Sequence, residues 1–264
     1  MPRPLSLPFF SAHPVFNRAE YAAAVGRSTT DKVVTTMLAQ HARAGNIRRL
    51  ARGLYAAVPK HGNAQTWTVD RFAAASKLRQ GSVVAYHSAL ELHGYAYTDS
   101  SEVQLIAPGE PGYLQATGFS CRFIKPPRGF LHTEGVTTVD RLGLAVPVTT
   151  VERTIVDVFD RYDLAGGAEE LFNSLNLVER VNSVPLLIFA RTMHNALAAG
   201  ALGYWLETQK ERLGIPDTTL VELHNLAPKQ LRYALGAKPR KGKTAPDWNV
   251  ILPAIISSPG FEGL

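Results

Sequence analysis

Residues 44–59 read AGNIRRLARGLYAAVP, and this stretch predicts a short β-hairpin. Gly53 permits a tight turn in the middle of the stretch, with one strand on each side. The apolar side chains spaced to face a core from these strands are Ile47, Leu50, Leu54 and Val58. Arg48, Arg49 and Arg52 would then project from the strands and the turn. The function of the hairpin therefore depends on whether these cations meet water or an anion.

The net positive charge of the chain comes entirely from its N-terminal segment. The whole chain has 264 residues and a formal net charge of +6. Residues 1–60 hold nine basic and two acidic side chains, a balance of +7, whereas the other residues hold 19 basic and 20 acidic ones, a balance of −1. This asymmetry favours a polyanion partner for the N-terminal module only. The alternative is a solvated charged face that binds nothing.

Two helices are predicted before the hairpin. The segment FNRAEYAAAVG (16–26) has an asparagine at a capping position and ends in a glycine, as short helices do. The segment RSTTDKVVTTMLAQHARAG (27–45) predicts a second helix, with Ser28 or Thr29 as its N-cap and Asp31 in its first turn. The apolar face predicted for this second helix consists of Val33, Val34, Met37, Leu38 and His41.

The order of these elements predicts a winged helix-turn-helix DNA-binding domain over residues 1–62. A tight turn joins the two helices, the second helix is polar on its outer face, and the basic hairpin supplies the wing. Hydroxyls, amides and cations on a recognition helix reach base edges, and arginines on a wing contact the DNA backbone or minor groove. The alternative is a winged-helix fold used for protein contacts. The candidate DNA-binding residues are Arg27, Ser28, Thr29, Thr30, Lys32, Thr36, Gln40, Arg43, Arg48, Arg49 and Arg52.

Three segments of the chain resemble one protein family. They are GNIRRLARGLYAAVP (45–59), VVAYHSALELHGY (83–95) and VPVTTVERTIVDVFDR (146–161). In this order and spacing they resemble the AbiEi-type antitoxins, the antitoxin component of AbiE toxin–antitoxin systems. The resemblance extends over approximately residues 16–180.

The resemblance implies a function in two parts. In this family the N-terminal winged helix binds operator DNA and represses its own operon, and the C-terminal domain is needed to neutralise a nucleotidyltransferase-like toxin encoded alongside. The expected partners are therefore double-stranded operator DNA and a cognate toxin, contacted directly or indirectly. The chain departs from the family at its start, because Pro2, Pro4, Pro8 and Pro14 leave only LSLPFFSA (5–12) for the first helix that family members have.

Residues 63–264 read as a C-terminal antitoxin domain of mixed α+β structure, so the predicted fold class is α+β. A polar linker is expected at 60–65 and a helix at 66–78. The other predicted elements are a helix ended by Gly94, strands at 102–108 and 119–127, a helix at 149–161 capped by Thr149 with Glu152, helices at 167–181 and 200–213, and a hairpin that pairs 231–236 with 247–252.

No residue pattern indicates an active site, so the chain is expected to be no enzyme and to need no cofactor. Gly81 and Ser82 are not followed by the Asp-x-Asp carboxylates that a nucleotidyltransferase needs, and no phosphate-binding glycine loop or nucleophile elbow occurs. Asp157, Asp160 and Asp163 have helical spacing. A metal cluster is one interpretation of these aspartates, and a solvated helix end is the favoured one.

The histidines and the single cysteine are expected to be structural. His41 is interpreted as a packed core histidine, and His87 with Glu91 as a structural pair one helical turn apart. Cys121 lies in a strand-like run, where a buried and inert thiol is expected.

No apolar run is long enough to span a bilayer and no secretory signal is recognised, so a cytoplasmic location without membrane contact is expected. A second function fits the sequence as well. The chain would then be a winged-helix transcriptional regulator whose C-terminal domain senses a ligand or oligomerises. A nucleotidyltransferase gene next to this one would favour the antitoxin, and the absence of such a gene would favour the regulator.

Overall fold

The computed structural model describes residues 6–59, 67–127, 129–130, 133–239 and 241–254. It is 44% helix and 23% strand, which confirms the mixed α+β class. Two compact units are formed by residues 1–84, 101–125 and 138–147, and by residues 85–100, 126–137 and 148–264. The division of function between residues 62 and 63 stays a prediction, and the linker predicted at 60–65 lies outside the described residues.

The first unit begins with three helices and three strands. These are α1 (Ser6–Ala12), β1 (Val15–Asn17), α2 (Arg18–Ala24), α3 (Lys32–Arg43), β2 (Ile47–Ala51) and β3 (Leu54–Ala57). Strand β3 lies between β1 and β2, and both pairs are antiparallel. The predicted hairpin is confirmed, with Gly53 in the left-handed region at φ +78°. Three of the four residues predicted to face the core, Ile47, Leu50 and Leu54, are buried. The fourth, Val58, is only half-buried, and Ala56 is buried instead.

Helix α2 has the predicted cap, but the cap predicted for α3 is wrong. The backbone N–H of Glu20 donates to the Asn17 side chain at 2.9 Å, and Glu20 accepts from the Asn17 N–H in return. The N-cap of α3 is Asp31, whose carboxylate accepts from the Val33 N–H at 2.8 Å. Because the helix begins only at Lys32, Val33 lies in its first turn and is 40% exposed, so its assignment to the apolar face is also wrong. The other four predicted residues of that face are buried.

The proline-rich start of the chain does form a first helix. Pro8 lies in the first turn of α1, where a proline is tolerated because the N–H it lacks would have no helical partner. Phe9 and Phe10 pack against Phe16 and Tyr21 with ring centroids 5.1 to 5.8 Å apart. Burial of these aromatic rings outweighs the poor helix propensity of the segment.

The rest of the first unit is built around a sheet with the strand order β6-β7-β5-β4-β9-β8. Its elements, which lie wholly or largely in this unit, are α4 (Arg71–Ser76), β4 (Val83–Val84), β5 (Glu102–Ile106), β6 (Gly112–Ala116), β7 (Phe119–Ile124), β8 (Val136–Arg141) and β9 (Leu144–Thr149). Strands β5 and β7 are the two that the sequence predicted, and they run parallel. The helix predicted at 66–78 is shorter, because Asp70 caps its first turn.

The second unit is mainly helical. Its elements are α5 (His87–His93), α6 (Val151–Asp160), α7 (Ala168–Asn176), α8 (Ser183–Met193), α9 (Ala196–Thr208), α10 (Lys210–Leu213), α11 (Asp217–Leu226), β10 (Arg232–Tyr233), β11 (Gly242–Ala245) and β12 (Val250–Pro253). Helices α8 and α11 were not predicted. In the described ranges, no helix combines the length and the apolar character that a membrane span requires.

Two local predictions in the second unit are wrong. The N-cap of α6 is Thr150, which accepts from the Arg153 N–H, while the Thr149 hydroxyl is hydrogen-bonded to that of Thr154 at 2.7 Å. The predicted terminal hairpin is replaced by a parallel pair, β10 with β12, and β11 occupies the antiparallel side of β12. Parallel strands need a long connection between them. The connection between β10 and β12 is long enough, and it contains β11.

Candidate nucleic-acid interface

One hydrophobic cluster supports both parts of the predicted DNA-binding surface. Its buried members are Phe9, Phe10, Phe16, Tyr21, Ala22, Val34, Met37, Leu38 and Ile47. These side chains come from α1, β1, α2, α3 and β2. Because α3 and β2 are anchored in the same cluster, the outer face of α3 and the hairpin belong to a single small body.

His41 is part of this core, as the sequence predicted. Its ring is 4% exposed and packs edge to face against Phe10, with ring centroids 4.8 Å apart. Burial lowers the pKa of His41, so the imidazole is held neutral. It therefore adds no charge to the surface.

Four candidate residues form one exposed stripe along α3, which we call the α3 stripe. They are Lys32, Thr36, Gln40 and Arg43. Their spacing of three or four residues places them on one helical face, opposite the residues in the core. The Thr36 hydroxyl donates to the Lys32 carbonyl at 3.2 Å. The stripe presents two cations, a hydroxyl and an amide, which are the groups that read base edges and phosphates.

The candidate DNA-binding residues in the turn between α2 and α3 differ in their exposure. Ser28, Thr29 and Thr30 are exposed, and the Ser28 and Thr30 hydroxyls are 3.0 Å apart. Arg27 is instead half-buried and forms a 2.8 Å ion pair with Asp31. The Val33 N–H, and then the Arg27 guanidinium, hold the pKa of Asp31 below its ordinary value. Arg27 thus stabilises the charged cap of α3.

Arg18, which the sequence did not single out, holds this turn to the start of α2. Its guanidinium donates from Nε to the Thr29 carbonyl at 2.6 Å, from Nη1 to the Thr35 hydroxyl at 2.8 Å, and from Nη2 to the Asp31 carbonyl at 3.0 Å. One planar group with several fixed donors can satisfy acceptors on both the turn and α3. Arg18 is therefore a positioning residue for the turn.

We expect Arg18→Gln to lower the free energy of unfolding by about 1–2 kcal/mol, because charge-assisted hydrogen bonds to the turn are lost. Urea unfolding followed by circular dichroism measures the change. Thr35→Val, which removes one of the three acceptors, should cost less. Arg191→Gln is the control, since Arg191 is an exposed arginine paired with Glu222. Equal stability of the Arg18 and Arg191 variants would contradict a role in holding the turn.

The three arginines of the hairpin differ in their environment. Arg48 is half-buried, and its Nη1 donates to the Trp67 carbonyl at 3.2 Å. Arg49 and Arg52 are exposed, and Arg49 donates from Nε to the Ala51 carbonyl at 3.3 Å. A β-bulge between Arg49 and Ala51 increases the local twist of β2. The exposed cations of the hairpin are therefore Arg49 and Arg52.

Both acidic side chains of this region are in ion pairs. Glu20 contacts Lys77, with Oε1 and Nζ 2.5 Å apart, and Asp31 contacts Arg27. No other Asp or Glu lies between residues 6 and 59. The exposed cations of the α3 stripe and the hairpin consequently face solvent without a competing carboxylate from this segment. Such a surface attracts a polyanion.

The three aspartates considered for a metal cluster are engaged separately. Asp157 is buried and accepts from Arg153 Nε at 2.8 Å through both oxygens. Asp160 accepts from Asn195, and Asp163 from Arg161. The favoured interpretation as a solvated helix end is therefore wrong for Asp157. In the part of the chain that the structure describes, no three histidine, cysteine or acidic side chains are arranged to hold a metal ion.

The remaining candidates have structural environments. His87 is buried, with Nε2 3.2 Å from Glu170 and Nδ1 4.0 Å from Glu91, so the predicted pair includes a second carboxylate from α7. Cys121 is buried in β7, as predicted, and burial raises the pKa of its thiol to about 12. A thiol with that pKa is unreactive near neutral pH.

Comparison with known proteins shows a related fold. No family model matches the chain, and no curated protein matches it in sequence. Among solved structures, the chain is similar to the crystal structure of the RV2827C protein from Mycobacterium tuberculosis, with a TM-score of 0.64 and 14% identity. The match covers 95% of this chain and 91% of that chain. At this level of identity the likeness shows the fold alone.

Proposed function

We propose that residues 1–62 form a winged helix-turn-helix that binds duplex DNA. The observation that carries this proposal is the distribution of charge: Lys32, Arg43, Arg49 and Arg52 are exposed on α3 and the hairpin, while both carboxylates of the segment are in ion pairs. Cations without a neighbouring carboxylate can bind DNA phosphates, and this binding releases counterions from the DNA. Titration of a fluorescent duplex with the chain tests the binding.

The topology supports the same proposal. The order helix, strand, helix, helix, strand, strand, with β3 between β1 and β2, is typical of winged helices. In this arrangement α3 is the recognition helix and the β2–β3 hairpin is the wing. The α3 stripe would read base edges in the major groove, and Arg49 and Arg52 would contact the backbone without reading sequence. Arg18 would position α3 without contacting DNA.

We further propose that the chain is an antitoxin and autorepressor of the AbiE type, with no catalytic step of its own. Three segments that resemble AbiEi-type antitoxins support this. The second and third segments form β4 with α5 and the end of β9 with α6, and most of their apolar residues are buried. The resemblance therefore rests on core residues, which do not mark a surface for toxin contact. We assign toxin neutralisation to residues 63–264 as a whole.

The two activities should separate in the full-length chain. A truncation near residue 62 would cut through the first compact unit, so point variants are the better test. We expect Arg49→Ala with Arg52→Ala to abolish repression of a promoter reporter while cells remain protected from a co-expressed toxin of the nucleotidyltransferase type. Loss of protection together with repression, in a variant that stays folded, would contradict the proposed division.

A concave site in the second unit favours the alternative function, a regulator that senses a ligand. This site is an open groove with a volume of about 410 Å³, lined by Ala196, Leu197, Pro228, Lys229, Gln230 and Arg232. Its volume is within the range of small-molecule sites, and its two cations suit an anionic ligand. The alternative predicts that Lys229→Ala with Arg232→Ala alters control of the promoter, and that the unmodified chain gives no protection from a toxin.

A further inference from the structure

The turn between β6 and β7 is hydrogen-bonded to the proposed wing. The Thr117 N–H donates to the Leu50 carbonyl at 2.9 Å, and the Thr117 hydroxyl donates to the Arg49 carbonyl at 3.4 Å. All of these residues belong to the first compact unit. The β6–β7 hairpin is thus attached to β2, the outer strand of the wing, next to the exposed arginines.

One face of the β6–β7 hairpin presents an exposed aromatic ring beside a cation. Tyr113 is 68% exposed, and the guanidinium of Arg122, its partner across the strands, lies 5.3 Å from the centroid of the ring. The ring restricts the motion of the guanidinium, and both groups can donate a hydrogen bond to phosphate. We call this pair the Tyr113–Arg122 patch.

The charge around the patch suits a polyanion. Residues 111–122 contain no acidic side chain, Glu110 just before them is paired with Lys125 at 3.4 Å, and Glu102 lies on the same face of the sheet, two strands in from β6. Gln115, on the same face, donates to the carbonyls of Ala116 and Phe119 and so serves the hairpin itself. The Tyr113–Arg122 patch therefore lies on a hairpin whose turn is hydrogen-bonded to the strand that carries Arg49.

We propose that the Tyr113–Arg122 patch is a second DNA-contact site, which binds the phosphate backbone of DNA flanking the wing. The proposal rests on the proposed function, since it extends the same interface. Tyr113 lies four residues along β6 from Thr117, a distance of about 13 Å. With a rise of about 3.4 Å per base pair, the patch reaches about four base pairs beyond the wing. This contact adds affinity without reading sequence.

The continuity with the wing favours DNA over a protein that adds a strand to β6. Strand β6 is at the edge of the sheet, so such pairing is the competing use of this surface. A strand partner would bind backbone groups of β6 and would not require the guanidinium of Arg122. A DNA contact requires that charge, which makes the two uses separable.

The test measures the salt dependence of affinity on duplexes of different length. A duplex selected by the full-length chain from a randomised pool is used whole, and again after trimming by about four base pairs from either end. On the whole duplex we expect Arg122→Gln to reduce the slope of log K against log salt by about 0.9, and to weaken binding about eightfold at 0.1 M salt. On the duplex trimmed at the wing side, the variant and the unmodified chain should bind equally.

Two further variants make the outcome specific. Tyr113→Ala should give part of the Arg122→Gln effect, because the guanidinium loses its support, and Arg161→Gln, an exposed arginine of the second unit, should change nothing. An unchanged slope for Arg122→Gln on the whole duplex would overturn the inference and leave the proposed function intact. A defect that persists on the trimmed duplex would overturn it too. Failure of the unmodified chain to bind any duplex would instead overturn the proposed function and this site together.

Discussion

Replacing Thr36 and Gln40 together with alanine should weaken binding to the selected duplex by roughly 2–6 kcal/mol, or about 30- to 25,000-fold, because each base-edge contact contributes about 1–3 kcal/mol. Both residues are exposed on α3 and neither carries a charge. Binding to random-sequence DNA should therefore be nearly unchanged, and so should the salt slope. Competition between selected and random duplexes measures the ratio directly.

Helix stability does not confound this prediction. Alanine is a better helix former than threonine or glutamine, and both side chains lie outside the core. Thr218→Ala with Asn225→Ala provides a matched control on exposed positions of α11. If the Thr36 and Gln40 variant lost selected and random duplexes in parallel, α3 would not be the recognition helix.

Replacing Arg49 and Arg52 with alanine should have the second largest effect. Each lost phosphate contact reduces the slope of log K against log salt by about 0.9, so the pair should reduce it by about 1.8 and weaken binding about 60-fold at 0.1 M salt. Selected and random duplexes should be affected equally, because a wing contact carries no sequence information. Arg48→Ala should reduce the slope little, since Arg48 is half-buried and bonded to the Trp67 carbonyl.

The control for the wing variant is Arg161→Ala with Arg191→Ala. These arginines are exposed in the second unit, and their removal changes the net charge by the same amount. A loss of affinity in the control equal to that of the wing variant would mean that net charge, and not the position of Arg49 and Arg52, determines binding.

Elements that are determined by residues close together in the chain were predictable from the sequence. The hairpin at 44–59 follows from alternating apolar residues around Gly53, and α2 follows from Asn17 and Glu20, which cap the helix within four residues. The assignment of His41 to the core also held, because its position on the face of α3 is fixed by helical spacing alone. In each case the residues that decide the structure are neighbours in the chain.

Features that depend on a choice between several suitable residues, or on contacts between residues far apart in the chain, were not predictable from the sequence. Ser28, Thr29 and Asp31 are all suitable caps, and at Asp31 the Val33 N–H and then Arg27 stabilise the carboxylate. The role of Arg18 depends on acceptors 11 to 17 residues away in the chain, so the sequence did not single this residue out. The parallel pairing of β10 with β12 likewise depends on β11, which local patterns did not indicate.

The central claim is that the N-terminal surface binds DNA through its exposed cations. The most direct test is the slope of log K against log salt for the unmodified full-length chain and a random-sequence duplex of about 20 base pairs. Contacts from Lys32, Arg43, Arg49 and Arg52 predict a slope of about −3.6 or steeper, at −0.9 for each phosphate neutralised. A slope near zero, or no binding at low salt, would contradict the claim.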